Sequence, residues 1–168
     1  MSKRPTLWML IGVPGSGKST WIENRMYGDE GRGHNITVLS TDYFIEVSAQ
    51  QKGLTYNDVF KDTIKNAERK MWDDLKYATD RDDNIIWDQT NLTRKSRAKK
   101  LILIPDHYEK VAVVFQTPQE DELQRRLASR SGKTIPEHIL GGMIEMLEYP
   151  ELDEGFDKVL YVDNGVTV

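Results

Sequence analysis

No cysteine occurs among the 168 residues, which excludes disulfides and thiolate metal sites and suits a reducing compartment. Histidine is scarce too: His34, His107 and His138 follow no metal-binding spacing, so none is assigned a ligand role. No apolar run approaches the ~20 residues of a membrane span, and no leader-like apolar segment opens the chain. A cytoplasmic location without a membrane partner is therefore expected. Repeats and low-complexity tracts are missing. A surplus of positive charge is missing as well, since 23 Lys and Arg stand against 27 Asp and Glu, a net charge of −4. That balance argues against an indiscriminate nucleic-acid coat, although a local basic groove can still form. What remains is 38% hydrophobic and 30% charged, in a length that suits one domain, residues 1–168, with a full core. Nothing in it fixes an oligomeric state.

The most informative stretch is Gly12–Ser19, G-V-P-G-S-G-K-S, directly after the apolar run Leu7–Ile11. It fits the phosphate-binding loop G-x-x-x-x-G-K-[S/T]. Gly12, Gly15 and Gly17 permit backbone conformations that turn successive N–H groups inward around Ser16, a ready cradle for an anion. Lys18 is placed to reach the β- and γ-phosphates, Ser19 to ligate Mg²⁺, and Thr20 to continue the same wall. A helix starting near Lys18 would add its N-terminal dipole. The motif predicts a nucleoside-triphosphate binder.

Around the loop, short β-rich runs alternate with helical patterns, the signature of an α/β/α sandwich on a parallel sheet. Strands are predicted over Thr6–Ile11, Ile36–Ser40, Asn84–Asp88, Lys110–Gln116 and Lys158–Val162. Helices are predicted over Lys18–Tyr27, Tyr56–Ala78, Arg94–Ile104, Gln119–Ser129 and Pro136–Leu147. Asn57 and Thr93 are candidate N-caps, Pro136 fits a first helical turn, and Asp29–Asn35 reads as a loop. Ligands of such sheets bind past the carboxyl ends of the strands. That rule singles out the loop at Gly12, Asp42, Asp88–Asn91 and Thr117.

Asp42 can orient or deprotonate an acceptor hydroxyl, or simply cap a helical turn through Tyr43–Glu46. Asp88 closes an apolar strand, as in a magnesium-associated second nucleotide motif, or braces a loop. Gln89, Thr90 and Asn91 are uncharged hydrogen-bonding groups suited to an acceptor. Arg125, Arg126, Arg130 and Lys133, with Gly132 between, have lid-like chemistry over about residues 126–136. They could neutralise charge on a transferred group, or pair with Glu122 and Asp121 on a solvated helix. The run Arg94, Lys95, Arg97, Lys99 and Lys100 could track a polynucleotide backbone, or form a solvated face.

Taken together, Gly12–Trp21, Ser40–Phe44, Asp88–Leu92, Arg126–Pro136 and Tyr149–Asp157 resemble the 5′-hydroxyl polynucleotide kinase group of P-loop phosphotransferases. That group includes phage enzymes and a domain of animal DNA-end-repair enzymes. The likeness implies a three-layer P-loop kinase fold with a central parallel sheet and an Arg-bearing helical lid. It implies transfer of the γ-phosphate of ATP, with Mg²⁺, to the 5′-hydroxyl ends of DNA or RNA, and a host cytoplasm if the chain is phage-encoded. It further implies that Lys18 and Ser19 bind triphosphate and Mg²⁺ and that Asp42 activates the hydroxyl. Arg130 would sit on the transferred phosphate and Arg126 on the nucleotide. Asp88, Thr90 and Asn91 would brace the acceptor side, with Gln89 and Arg94 next to them. Two departures stand out. Only one aspartate precedes Tyr43, and Ile45 and Glu46 stand where phage members carry an arginine for the acceptor's phosphate. No phosphatase signature accompanies these motifs. Two other activities remain open: transfer to a nucleoside or another small hydroxyl compound, and an ATP-binding switch that transfers nothing.

Overall fold

Residues 3–28 and 34–168 are described by a computed structural model, so most of the loop expected over Asp29–Asn35 lies outside the described residues. Five parallel strands, β1 (Thr6–Ile11), β2 (Ile36–Leu39), β3 (Asn84–Trp87), β4 (Glu109–Phe115) and β5 (Lys158–Asp163), form the sheet with a short antiparallel β6 (Val166–Thr167). Their order is β2-β3-β1-β4-β5-β6, so β1 sits between β3 and β4. This is the three-layer P-loop kinase arrangement that the motif order predicts.

The period-2 alternation of β1 divides the core. Leu7, Met9 and Ile11 face one layer, where α3 (Tyr56–Asp80) and α4 (Arg94–Leu101) bring Met71, Leu75 and Leu101. Leu10 faces the other, where Trp21, Ile22 and Met26 of α1 (Lys18–Tyr27) pack with Val113 and Phe115. Both layers cover β1, which explains its nearly uninterrupted apolar spelling. In α3 the buried residues Val59, Thr63, Ala67, Met71, Leu75 and Ala78 follow helical spacing.

Three local expectations change. A 12-residue helix, α2 (Thr41–Lys52), stands where only a turn was considered, and it packs Ile45 and Ala49 against Val59 and Ala67 of α3 rather than on the sheet. The N-cap of α3 is Thr55, which forms a capping box with Asp58, so Asn57 lies two residues beyond the cap, in the first turn. Pro136 stands just before α6 (Glu137–Met146) instead of in its first turn. Thr93 caps α4 as expected, accepting from Ser96 N at 3.1 Å. The remaining helix, α5 (Glu120–Ala128), ends two residues short of Arg130. No helix among the described residues is long and apolar enough to cross a membrane.

Candidate active site

The carboxyl ends of β1, β2 and β3 open into one pocket of about 1380 Å³. Its floor is the loop after β1. Gly15 and Gly17 take φ of +82° and +103°, in the left-handed region that favours glycine. A Cβ on Gly12 would come within 2.7 Å of Ser16 Oγ, so the close turn requires glycine there too. The loop is tied to the strand beside it: Gly12 N donates to Thr90 O at 3.0 Å, and Asn91 Nδ2 donates to Leu10 O at 2.8 Å. Asn91, at φ +48°, adopts the tight conformation that this crossing demands.

Lys18 Nζ donates to the carbonyls of Gly12 and Val13 at 2.8 and 3.0 Å. Burial lowers its pKa to about 8, against the raising influence of Asp88 and Asp42 and with Arg130 and Lys133 adding to the drop. Ser16 Oγ is buried without a hydrogen-bond partner, an orphan polar atom inside the cradle. Ser19 and Thr20 are exposed on the pocket wall.

Asp42 stands in the first turn of α2 and is not its cap; Ser40 caps α2, accepting from Tyr43 N at 3.3 Å. Its half-exposed carboxylate lines the pocket instead. Tyr56 OH donates to Asp42 Oδ1 at 2.6 Å, and Lys133 Nζ lies 3.0 Å from Oδ2. Desolvation raises the Asp42 pKa, but Lys133, the Tyr56 hydrogen bond and Lys18 outweigh it and hold the carboxyl below its ordinary range. Asp88 moves the other way. Burial raises its pKa and the Asp42 charge adds to that, with Lys18 and a Ser40 hydrogen bond opposing. One carboxylate is thus kept ionised and its neighbour made easier to protonate.

Arg126, Arg130 and Lys133 reach the same pocket from α5 and the loop beyond it. Arg126 Nη1 donates to Gly15 O at 3.1 Å and its Nε to Glu122 at 2.7 Å, which ties the lid to the phosphate loop. Arg130 is half-buried on the turn after α5, near enough to Lys18 to lower its pKa. Arg125, on the exposed rim of the pocket, pairs with Glu122 at 2.8 Å.

The fold thus brings together Gly15, Ser16, Gly17, Lys18, Ser19, Thr20, Asp42, Asp88, Gln89, Thr90, Arg126 and Arg130 as pocket lining. Gly12 and Asn91 sit beneath this wall, as bracing. The basic run of α4 stays outside it. Arg94 Nη2 pairs with Asp153 at 2.8 Å. Arg97 is fully buried, bonded in parallel to Glu154 at 2.9 and 3.1 Å and to the carbonyls of Asn91, Leu92 and Glu148. Lys100 bonds Asn91 Oδ1 and lies over the Trp87 ring. Tyr56, Glu46 and Ser40 are pocket residues that sequence reasoning passed over. The capping pattern Thr55–Asp58, one residue from Tyr56, was the available signal.

Residues 7–150 match the model of the AAA domain family. The chain belongs to that family. Among curated relatives, this AAA domain is 27% identical over 160 residues to heterogeneous nuclear ribonucleoprotein U-like protein 2 of mouse and of human. The match takes in 91% of the chain but spans only 21% of those proteins. Among solved structures, the AAA domain aligns over 99% of its length with 72% of a chain from the PezAT toxin–antitoxin system of Streptococcus pneumoniae, at TM-score 0.70 and 18% identity. It also aligns over 94% of its length with 48% of a chain of the Pnkp1/Rnl/Hen1 RNA repair complex, at TM-score 0.67 and 23% identity. At such identities the likeness shows the fold alone.

Proposed function

We propose that this AAA domain is an ATP-dependent kinase that phosphorylates the 5′-hydroxyl end of a polynucleotide. The observation that carries the reading is the place of Asp42, half-exposed in the same pocket as Lys18, Arg126 and Arg130. Ligand pockets commonly measure about 300–1,000 Å³, so about 1380 Å³ leaves room for an acceptor beside the nucleotide. The acceptor oxygen attacks the γ-phosphorus, the bond to the bridging oxygen of ADP breaks, and the hydroxyl proton passes to Asp42. Lys18 and Arg130 meet the charge that gathers on the transferred group. The inward loop, with its orphan Ser16 Oγ, fits a triphosphate. Mg²⁺ would be held by the exposed Ser19 hydroxyl on the pocket wall together with the triphosphate's own oxygens. Bound there it would neutralise phosphate charge. The names of the relatives, a ribonucleoprotein and an RNA repair complex, support a nucleic-acid acceptor.

With no α4 cation in the pocket lining, the acceptor would be gripped only near its end. Affinity should therefore saturate within a few nucleotides and depend weakly on salt. The same observation favours a second reading, a nucleoside or other small hydroxyl acceptor. A non-transferring switch would be expected to close Asp42 off in a cap; Ser40 as the cap of α2 supports transfer over that reading. Purified protein with γ-labelled ATP, Mg²⁺ and 5′-hydroxyl DNA and RNA oligomers separates the readings. Label on the oligomers supports the proposal; label on nucleosides alone selects the second reading.

A further inference from the structure

Lys133 and Tyr56 reach Asp42 from two elements distant in sequence. Lys133 Nζ lies 3.0 Å from Asp42 Oδ2 and 3.1 Å from Glu46 Oε1, and 4.4 Å from the centre of the Tyr56 ring. Its side chain is 16% exposed, against 52% and 53% for the two carboxylates, so the cation is far more enclosed than a surface pair would make it. The loop that carries it is fixed to the start of α3. Asn57 N donates to Gly132 O at 3.2 Å, and Asn57 Nδ2 donates to Thr134 Oγ1 at 2.8 Å. Gly132 has φ +70°, and a Cβ there would come within 2.6 Å of Thr55 Cβ. Three consecutive loop residues are thus seated where Tyr56 begins its helix.

We propose that Lys133 and Tyr56 are positioning residues for Asp42, one on each carboxylate oxygen, and that docking of the loop on α3 completes the base. The proposal rests on Asp42 acting as base. A carboxylate has about four lone-pair sites, so two such contacts still leave room for an acceptor hydroxyl. Every group facing Asp42 has a definite sense: Lys133, Lys18 and the Tyr56 hydroxyl favour its ionised form, while burial opposes it. Asp88 and Glu46 carry like charge nearby, and Arg130 acts on both Lys18 and Tyr56. Burial, followed by the Asp42 contact, raises the Tyr56 pKa, so its hydroxyl stays a donor at working pH.

A base works when ionised, so removing Lys133 should move the acidic limb of kcat/KM to higher pH. Lys133→Met should lower kcat/KM progressively more as pH falls, about fivefold more near pH ~4.5 than near pH ~8. Tyr56→Phe should move the limb the same way by less, and Lys133→Arg should restore it. ATP affinity should stay within about twofold in all three, which also reports folding. Equal loss at every pH, a Lys133→Arg enzyme no better than Lys133→Met, or a large loss of ATP affinity would overturn the proposal. Asp42→Asn, assayed alongside, separates the two levels. Retained transfer in that variant removes the base assignment itself. An inactive Asp42→Asn with an unmoved Lys133→Met limb removes only the positioning role.

Discussion

The five cations of Arg94–Lys100 and the four of Arg125–Lys133 look alike as sequence, dense basic runs on or beside a short helix. The fold separates them. On α4, Leu101 joins the core, Arg97 is buried against Glu154, Lys100 lies over Trp87 and Arg94 pairs with Asp153. Around α5, Arg125, Arg126, Arg130 and Lys133 all line the pocket, with Arg125 and Arg126 both paired to Glu122. The difference lies in what each run meets: the pocket in one case, the core and acidic partners in the other. Arg97 and Lys100 of α4 hold the loop after β3, and the lid cations line the pocket. Charge density on a helix therefore says little about substrate; the strand end it faces says more.

The contrast can be broken from the pocket side first. Lys18→Ala should cut phosphoryl transfer by about 10² to 10³, measured as kcat/KM with labelled ATP. On the α4 side the largest effect should be on stability. Glu154→Ala leaves the Arg97 guanidinium buried without its carboxylate, a loss of about 3–5 kcal/mol. Thermal unfolding should show it as a Tm lower by roughly 10 °C. Arg130→Ala should reduce kcat about 10- to 100-fold while nucleotide affinity changes little, if its proposed role with the transferred group holds. Equal losses in both would place Arg130 with ground-state binding instead.

A smaller effect comes from pH. Lys18, with its pKa near 8, loses its charge as pH rises through that value. ATP affinity should then fall by up to about tenfold between pH ~7 and ~9, with proton uptake on binding at the alkaline end. Calorimetry in buffers of different ionisation heat would detect that uptake, and Lys18→Met should abolish it. Smallest of all, Arg94→Ala with Lys99→Ala should leave transfer within about twofold and stability within about 0.5 kcal/mol. A strong loss of oligomer binding there would return the α4 run to the substrate side.

Much of this was legible in advance, because local chemistry fixes it. The phosphate loop, the five parallel strands and the Thr93 cap all depend on neighbours in sequence. What escaped depends on distant partners. Helix α2 has only Thr41, Ile45 and Ala49 buried and packs on another helix, so its apolar pattern is thin. From the sequence Asp42 suits a base or a cap; the cap falls to Ser40, two residues earlier, and Asp42 lines the pocket. The burial of Arg97 needs Glu154, 57 residues on, and the Lys133 contact with Asp42 spans 91 residues. No pattern within a helix reveals such pairings.

The central claim is that Asp42 faces an acceptor across the pocket and takes its proton. Single-turnover transfer from labelled ATP to a 5′-hydroxyl oligonucleotide, with ATP affinity measured in parallel for wild type and Asp42→Asn, tests it most directly. The expected result is a fall in transfer of about 10² to 10⁴ with ATP affinity within about twofold. Transfer at the wild-type rate by Asp42→Asn would contradict it.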